Sequence, residues 1–233
     1  MDGFIEALHI DRFYMYVFER CILIYQGDVA VGIIMMAGMF AVTVIIKICF
    51  CWRVLVKAVL IRHGKVNFRW ESWYTSHQFD EACMQYNQAH VMKTCYSIPD
   101  SKFSSYYIST LSRTRETAQN IFGVQDYIAT DLINEVPLSA SFNTEAKLPL
   151  LFWNITGRIQ WYFNNGRQKE GRLQTKKRAK QFVHMLVDKN EDCVIVTHGF
   201  FMHTLVSELK NAHFSIDNRS MKYDNGECVI ARL

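Results

Sequence analysis

Two histidines each follow a short, wholly apolar run and stand immediately before a glycine, in Val59-Leu60-Ile61-Arg62-His63-Gly64 and Val194-Ile195-Val196-Thr197-His198-Gly199. Short β-branched runs of this kind read as strands buried on both faces of a parallel sheet. Ligands of open α/β sheets bind outside the carboxyl ends of the strands, so both imidazoles are expected on one binding edge. The glycine after each histidine allows the backbone to turn away sharply. Arg62, beside the first histidine, suits bidentate binding of an anion. A neutral imidazole is a nucleophile, and cationic donors stabilise the charge spread over a phosphoryl group in transfer. The constellation points to a site for an anionic group. No HExxH occurs, and the five-residue spacing of His198 and His203 is not the i, i+4 pair of a helical zinc site.

A site of this kind needs a sheet to hold it, and the surrounding chain alternates strands with helices. Strands are expected at 56–61, 106–110, 127–133 and 193–197, with a closing strand at 227–232. Helices are expected at 79–90, 112–122, 150–163, 173–189 and 200–209, with Ser112 near an N-cap and Gly123 as a stop. The alternation predicts an α/β, three-layer domain with a mostly parallel sheet flanked by helices.

Four stretches, in chain order, resemble the histidine phosphatases, also called the phosphoglycerate-mutase-like superfamily. Leu60-Ile61-Arg62-His63-Gly64 is similar to the family's signature motif, whose histidine accepts the phosphoryl group. Ser109-Thr110-Leu111-Ser112-Arg113-Thr114-Arg115-Glu116-Thr117-Ala118 resembles its second motif, whose first arginine binds phosphate. Glu135, in Leu132-Ile133-Asn134-Glu135, stands where the family usually places its acidic proton donor, and His198-Gly199 resembles the second catalytic histidine. The resemblance spans about residues 56–232. It implies a phosphoglycerate-mutase-like fold and His63 as the nucleophile. Arg62, Arg113, His198 and Gly199 would lie around the phosphate, with Glu135 as acid, Asp131 and Glu145 as its rivals, and no cofactor. Arg115 falls on the helix surface in that register. Arg62, Arg113 and a protonated His198 are then expected as cationic donors.

The chain also departs from the family. Lys65 and Val66 follow Gly64 where many members have Glu-Thr, and Arg69 stands where they have Asn. Asn67 is a candidate replacement, and Lys65 either reaches substrate or is a solvated loop charge. Val136-Pro137-Leu138-Ser139-Ala140 replaces the usual Gly-rich segment after the acid. The implied activity is hydrolysis of a phosphomonoester through a phosphohistidine. A phosphotransferase or mutase with the same intermediate, and a non-catalytic membrane scaffold on this fold, are the alternatives.

The 233 residues are 50% hydrophobic and 21% charged, with 7 Cys and a net charge of +4. These values exclude a disordered chain and a disulfide-stapled scaffold, and the charge alone makes no case for nucleic acid. The apolar residues are concentrated. Residues 29–46 are eighteen in a row without a charge or a Pro, and beyond Lys47 the apolar stretch reaches about Trp52. The length suits one crossing of a ~30 Å hydrocarbon layer, so a transmembrane helix is expected over 29–52. It divides an N-terminal segment, 1–28, from a catalytic domain, 53–233.

Residues 1–28 carry five acids against Arg12 and Arg20, whereas 47–69 carry six bases and no acid. The positive-inside rule places the domain in the cytoplasm of a single-pass protein. Residues 13–26 read as an interfacial amphipathic helix or as a second arm of a helical hairpin. Cys49 and Cys51 are either sites of S-acylation or ordinary reduced cysteines. Only Arg53, Val54 and Leu55 separate the membrane segment from the first strand, so the domain is held near the bilayer. The expected partners are that lipid bilayer and a phosphorylated small molecule, a lipid or glycan precursor, or a phosphoprotein. Residues 167–180 hold seven bases and one acid, and face anionic lipid, draw in substrate or form a solvated helix face. Trp70, Trp73 and Tyr74 line a substrate mouth, rest on a membrane interface or fill the core.

Overall fold

The computed structural model describes residues 56–93, 96, 102–217 and 223–233. The expected membrane segment 29–52 and the leader before it lie outside the described residues. Among the described residues no helix is long and apolar enough to cross a membrane. The chain divides into two compact units, Met1–Arg53 and Val54–Leu233, and the second is described below.

Its elements in chain order are β1 (Lys57–Arg62), β2 (Trp73–Tyr74), α1 (Ser76–Gln88), β3 (Ser105–Ser109), α2 (Ser112–Phe122) and β4 (Tyr127–Thr130). A 3-10 turn (Asp131–Ile133), β5 (Leu148–Pro149), α3 (Leu150–Tyr162), α4 (Arg172–Lys189), β6 (Cys193–Thr197), α5 (Gly199–Asn211), β7 (Ser215–Asp217) and β8 (Cys228–Arg232) follow. Six strands form one sheet in the order β4-β3-β6-β1-β8-β7. The first four are mutually parallel, and β8 and β7 add antiparallel pairings at one side. Arg62 pairs with Thr197 in the β1–β6 register, so His63 and His198 leave the sheet side by side.

Strand side chains alternate between the two faces. Leu60, Tyr107 and Ile195 pack with Phe182 and Leu186 of α4 and Leu205 and Leu209 of α5. Val59, Ile61, Ile108, Val194 and Val196 pack with Ala118 of α2 and with Phe103. Burying each such aliphatic or aromatic side chain contributes about 1.5–3 kcal/mol, so a continuous two-sided core holds the strand ends in place.

A third cluster of Tyr74, Phe79, Ala82, Ala140 and Trp153 joins β2, α1, α3 and the long connection before β5. Phe79 and Trp153 stack at 5.7 Å, and Trp153 Nε1 donates to the Tyr74 carbonyl at 3.0 Å. The antiparallel pairing of β2 with β5 completes this substructure.

Several boundaries differ from expectation for local reasons. α1 starts earlier than expected because Thr75 and Gln78 form a capping box. The strand expected over 127–133 stops at Thr130, whose hydroxyl accepts from Leu132 N–H and turns the chain into the 3-10 turn. Leu111, not Ser112, occupies the N-cap of α2, without a side-chain cap bond. Gly123 ends α2 as expected, at φ +68°.

Candidate active site

His63 follows β1 directly. Its backbone N–H donates to the Thr197 carbonyl at 2.9 Å, and its ring Nδ1 lies 2.7 Å from the Gly64 carbonyl. A carbonyl can only accept, so Nδ1 carries the proton and Nε2 of the neutral ring keeps its lone pair. Burial, then the positive charges of Arg113 and Arg62, lower the pKa from 6.5 to about 3 against the opposing effect of the Gly64 bond. The ring is therefore neutral at physiological pH.

His198 ends β6 and is fully buried at the N-cap of α5. Arg113 Nε donates to His198 Nδ1 at 3.2 Å, so the proton of this ring sits on Nε2, which faces Ser109 Oγ at 2.8 Å. Ser109 Oγ also accepts the Leu111 N–H at 3.2 Å, which leaves its own hydrogen for Thr114 Oγ1 at 3.0 Å. Burial, then Arg113 and His63, push the His198 pKa well below its ordinary value. Without a bound anion the ring is neutral, because a proton on Nδ1 would face the Arg113 N–H. The centroids of the two imidazoles are 5.1 Å apart.

Arg113 is buried in the first turn of α2, while Arg115 is exposed, as the expected register requires. Arg113 Nη1 donates to Asn87 Oδ1 at 2.9 Å, and its guanidinium lies 5.2 Å from the Tyr86 ring centroid. Arg62 Nη1 donates to the Tyr223 carbonyl, and its buried Nε has no hydrogen-bond partner among the described residues. A Cβ at Gly199 would lie 2.7 Å from that Nε and 2.9 Å from Cζ. At Gly64 a Cβ would collide with the Tyr96 hydroxyl. Neither glycine has a positive φ, so both serve close approach and not the sharp turn expected of them.

Glu135 sits at the positive end of α5. Its Oε1 accepts from the N–H groups of Val136 at 2.9 Å and Phe201 at 3.1 Å, and Oε2 from Phe200 N–H at 3.4 Å. The Thr197 hydroxyl donates to the Ile133 carbonyl at 2.7 Å and ties this loop to β6.

A cleft of about 810 Å³ opens beside these groups, lined by Arg62, Arg113, Asn87, Tyr86, Trp70 and Glu135 among others. His63 and His198 do not reach its surface, being 1% and 0% exposed. Arg113, in contact with His198, lines it instead. Of the rival acids, Asp131 is exposed on the cleft wall, whereas Glu145 is exposed and not among the lining residues. Lys65 and Asn67 are also exposed and not among the lining residues. Their backbones pair with Met92 and His90, which holds the segment along that stretch. Trp70 lines the cleft, Tyr74 is core and Trp73 is exposed.

Sequence reasoning missed the parts played by Ser109, Tyr86 and Asn87. Ser109 ends β3 on the edge that bears the histidines, a position that could have marked it. Asp80, Cys83, Met84 and Asn87 line the cleft from α1 at i, i+3, i+4 and i+7, a helical stripe hidden by its mixed polarity.

A family model described as the histidine phosphatase superfamily (branch 1) matches residues 58–233. No curated protein sequence matches the chain. Among solved structures, the product of an open reading frame of Mycobacterium tuberculosis is similar at TM-score 0.51 and 14% identity, over 76% of this chain and 94% of that one. A phosphoglycerate mutase from Bacillus anthracis aligns at TM-score 0.49 and 15% identity, over 77% and 88% of the two chains. A phosphoserine phosphatase from Entamoeba histolytica aligns at TM-score 0.44 and 17% identity, over 75% and 89%. The first of these similarities bears on the fold alone.

Proposed function

The chain belongs to the histidine phosphatase superfamily, and from that membership we propose that it is a membrane-anchored phosphatase hydrolysing a phosphomonoester through a phosphohistidine on His63. The observation that carries this reading is the Nδ1–H bond to the Gly64 carbonyl, which leaves Nε2 with a lone pair beside two arginines. The unpartnered N–H of Arg62 Nε is a donor that a phosphate oxygen would satisfy. Arg113 would take a second oxygen by giving up His198 Nδ1. That exchange uncovers Nδ1 next to a dianion, which favours a proton on the ring in the complex.

His63 Nε2 then attacks phosphorus as the phosphorus–oxygen ester bond breaks, and the leaving oxygen takes a proton from Glu135. A water gives its proton back to Glu135 as its oxygen bonds to phosphorus. The phosphorus–nitrogen bond breaks, releasing inorganic phosphate and restoring the neutral imidazole. The arginines hold the equatorial oxygens throughout.

The anchor and the cytoplasmic placement of the domain rest on the uncharged run at 29–46 and its asymmetric flanks. The substrate class comprises phosphorylated small molecules, lipid or glycan precursors and phosphoproteins. Purified full-length chain is tested with an aryl phosphate against His63→Ala; equal phosphate release by both would overturn the nucleophile. Alkaline carbonate extraction of membranes tests the anchor. Retention in the pellet supports it, and release to the supernatant overturns it.

A further inference from the structure

α3 contributes to the cleft wall and also carries an outer face. Leu151, Ile155, Ile159 and Phe163 recur at i, i+4, i+8 and i+12, and each is at least half exposed. A shallow apolar concavity lies between Ile155, Ile159, Tyr162 and Phe163, and exposed Leu173 follows at the start of α4. A contiguous exposed stripe of this kind marks a surface that something covers.

Charge identifies the cover. Between Glu145 and Glu170 the chain holds Lys147, Arg158, Arg167 and Lys169 and no acid; Arg158 and Arg167 turn to the Val136 and Ala140 carbonyls, and Lys147 and Lys169 are exposed. Arg172 stacks 4.5 Å from the Tyr162 ring centroid, and exposed Lys177 and Lys176, the latter 3.7 Å from Glu208, continue along α4. An apolar stripe bordered by cations is the pattern of a helix lying in the interface of an anionic bilayer. Two copies apposed through this face would set cation against cation, which disfavours self-association. Asn154 and Arg158 line both the apolar concavity and the cleft, so the two openings are neighbours.

We propose that the outer face of α3 docks on an anionic phospholipid surface and sets the cleft at the level of the headgroups. The proposal rests on the reading of 29–52 as a bilayer anchor for proximity to the membrane, and the α3 face supplies orientation.

The test reconstitutes the full-length chain in vesicles of phosphatidylcholine with phosphatidylserine, doped with a photoactivatable phospholipid, and maps cross-linked peptides by mass spectrometry. Labelling of both 29–52 and 150–163 is expected. Labelling of 29–52 without 150–163 overturns docking and leaves the anchor standing. Labelling of 150–163 without 29–52 supports docking and overturns the anchor. Cross-linking of 150–163 to a second copy of the chain in place of lipid overturns docking. Lys176→Glu with Lys177→Glu is expected to lower labelling of 150–163 by about fivefold or more and leave 29–52 unchanged. Ile155→Asp with Ile159→Asp is expected to abolish it while hydrolysis of a soluble aryl phosphate persists, which shows that the fold is retained. Undiminished α3 labelling in these variants overturns the proposal.

Discussion

The floor and the wall of the cleft are built on different principles. The floor lies beneath the cleft surface at the ends of β1, β3 and β6, where His63, Ser109 and His198 are buried behind Arg113 and the hydrogen bonds assign the proton on each imidazole. The wall is made by α1, α3 and the chain between Asn134 and Pro149, resting on an aromatic cluster and presenting half-exposed side chains such as Trp70 and Glu135. A buried polar network specifies a single protonation pattern because any alternative leaves a donor or acceptor unpaired. On the proposed mechanism the floor sets the chemistry, and the wall sets what enters and carries the carboxylate of Glu135.

Substitutions probe that division in order of expected effect. His63→Ala is expected to lower kcat by at least ~10³-fold, since the proposed covalent intermediate forms on its ring; steady-state hydrolysis of an aryl phosphate measures it. Glu135→Gln is expected to cost ~10²-fold with an alkyl phosphate and far less with p-nitrophenyl phosphate, whose leaving group needs no proton. Equal losses on both substrates would place the carboxylate in the floor's structural set, as the cap of α5. Ser109→Ala leaves the Nε2–H of His198 unpaired, and a ~10-fold fall in kcat with a displaced pH profile is expected. Ser109→Thr is expected to recover both.

The floor also predicts a pH dependence of stability. The folded chain keeps His63 neutral down to about pH 3, whereas the unfolded chain protonates it near 6.5. The unfolded state therefore binds more protons in this window. The stabilisation is full above pH 6.5 and is lost as pH falls towards 3, by up to ~1.4 kcal/mol per pH unit for this histidine. Urea denaturation of wild type and His63→Gln across that range checks it, and the variant's profile is expected to be flatter. The smallest effect is expected from the wall. Trp70→Ala is expected to raise KM a few-fold with kcat little changed, a loss of binding common to ground and transition states.

The floor was legible in the sequence and the wall was not. Cys193-Val194-Ile195-Val196-Thr197 is an unbroken buried run, and its boundaries and the histidine after it follow from composition alone. The register of the second motif likewise separates buried Arg113 from exposed Arg115. The wall depends on contacts distant in sequence. Ser76 Oγ donates to the Thr144 carbonyl, and Asp80 accepts from Ala140 N–H, across separations of 68 and 60 residues. β2 and β5 have two residues each, too few to show a period. Asn87 and Tyr86 therefore came to light only with the packing of α1. The glycines after the histidines were legible as positions but not in purpose, since what they accommodate, Arg62 and Tyr96, approaches from elsewhere in the chain.

The central claim is that the Gly64 carbonyl reserves Nε2 of His63 for phosphorus. Rapid-quench phosphorylation with a radiolabelled aryl phosphate, followed by alkaline digestion and separation of the two phosphohistidine isomers, tests it directly. The account predicts acid-labile label on His63 as the Nε2 isomer, absent from His63→Ala. Label at Nδ1, on His198 or as an acid-stable phosphoester would contradict it.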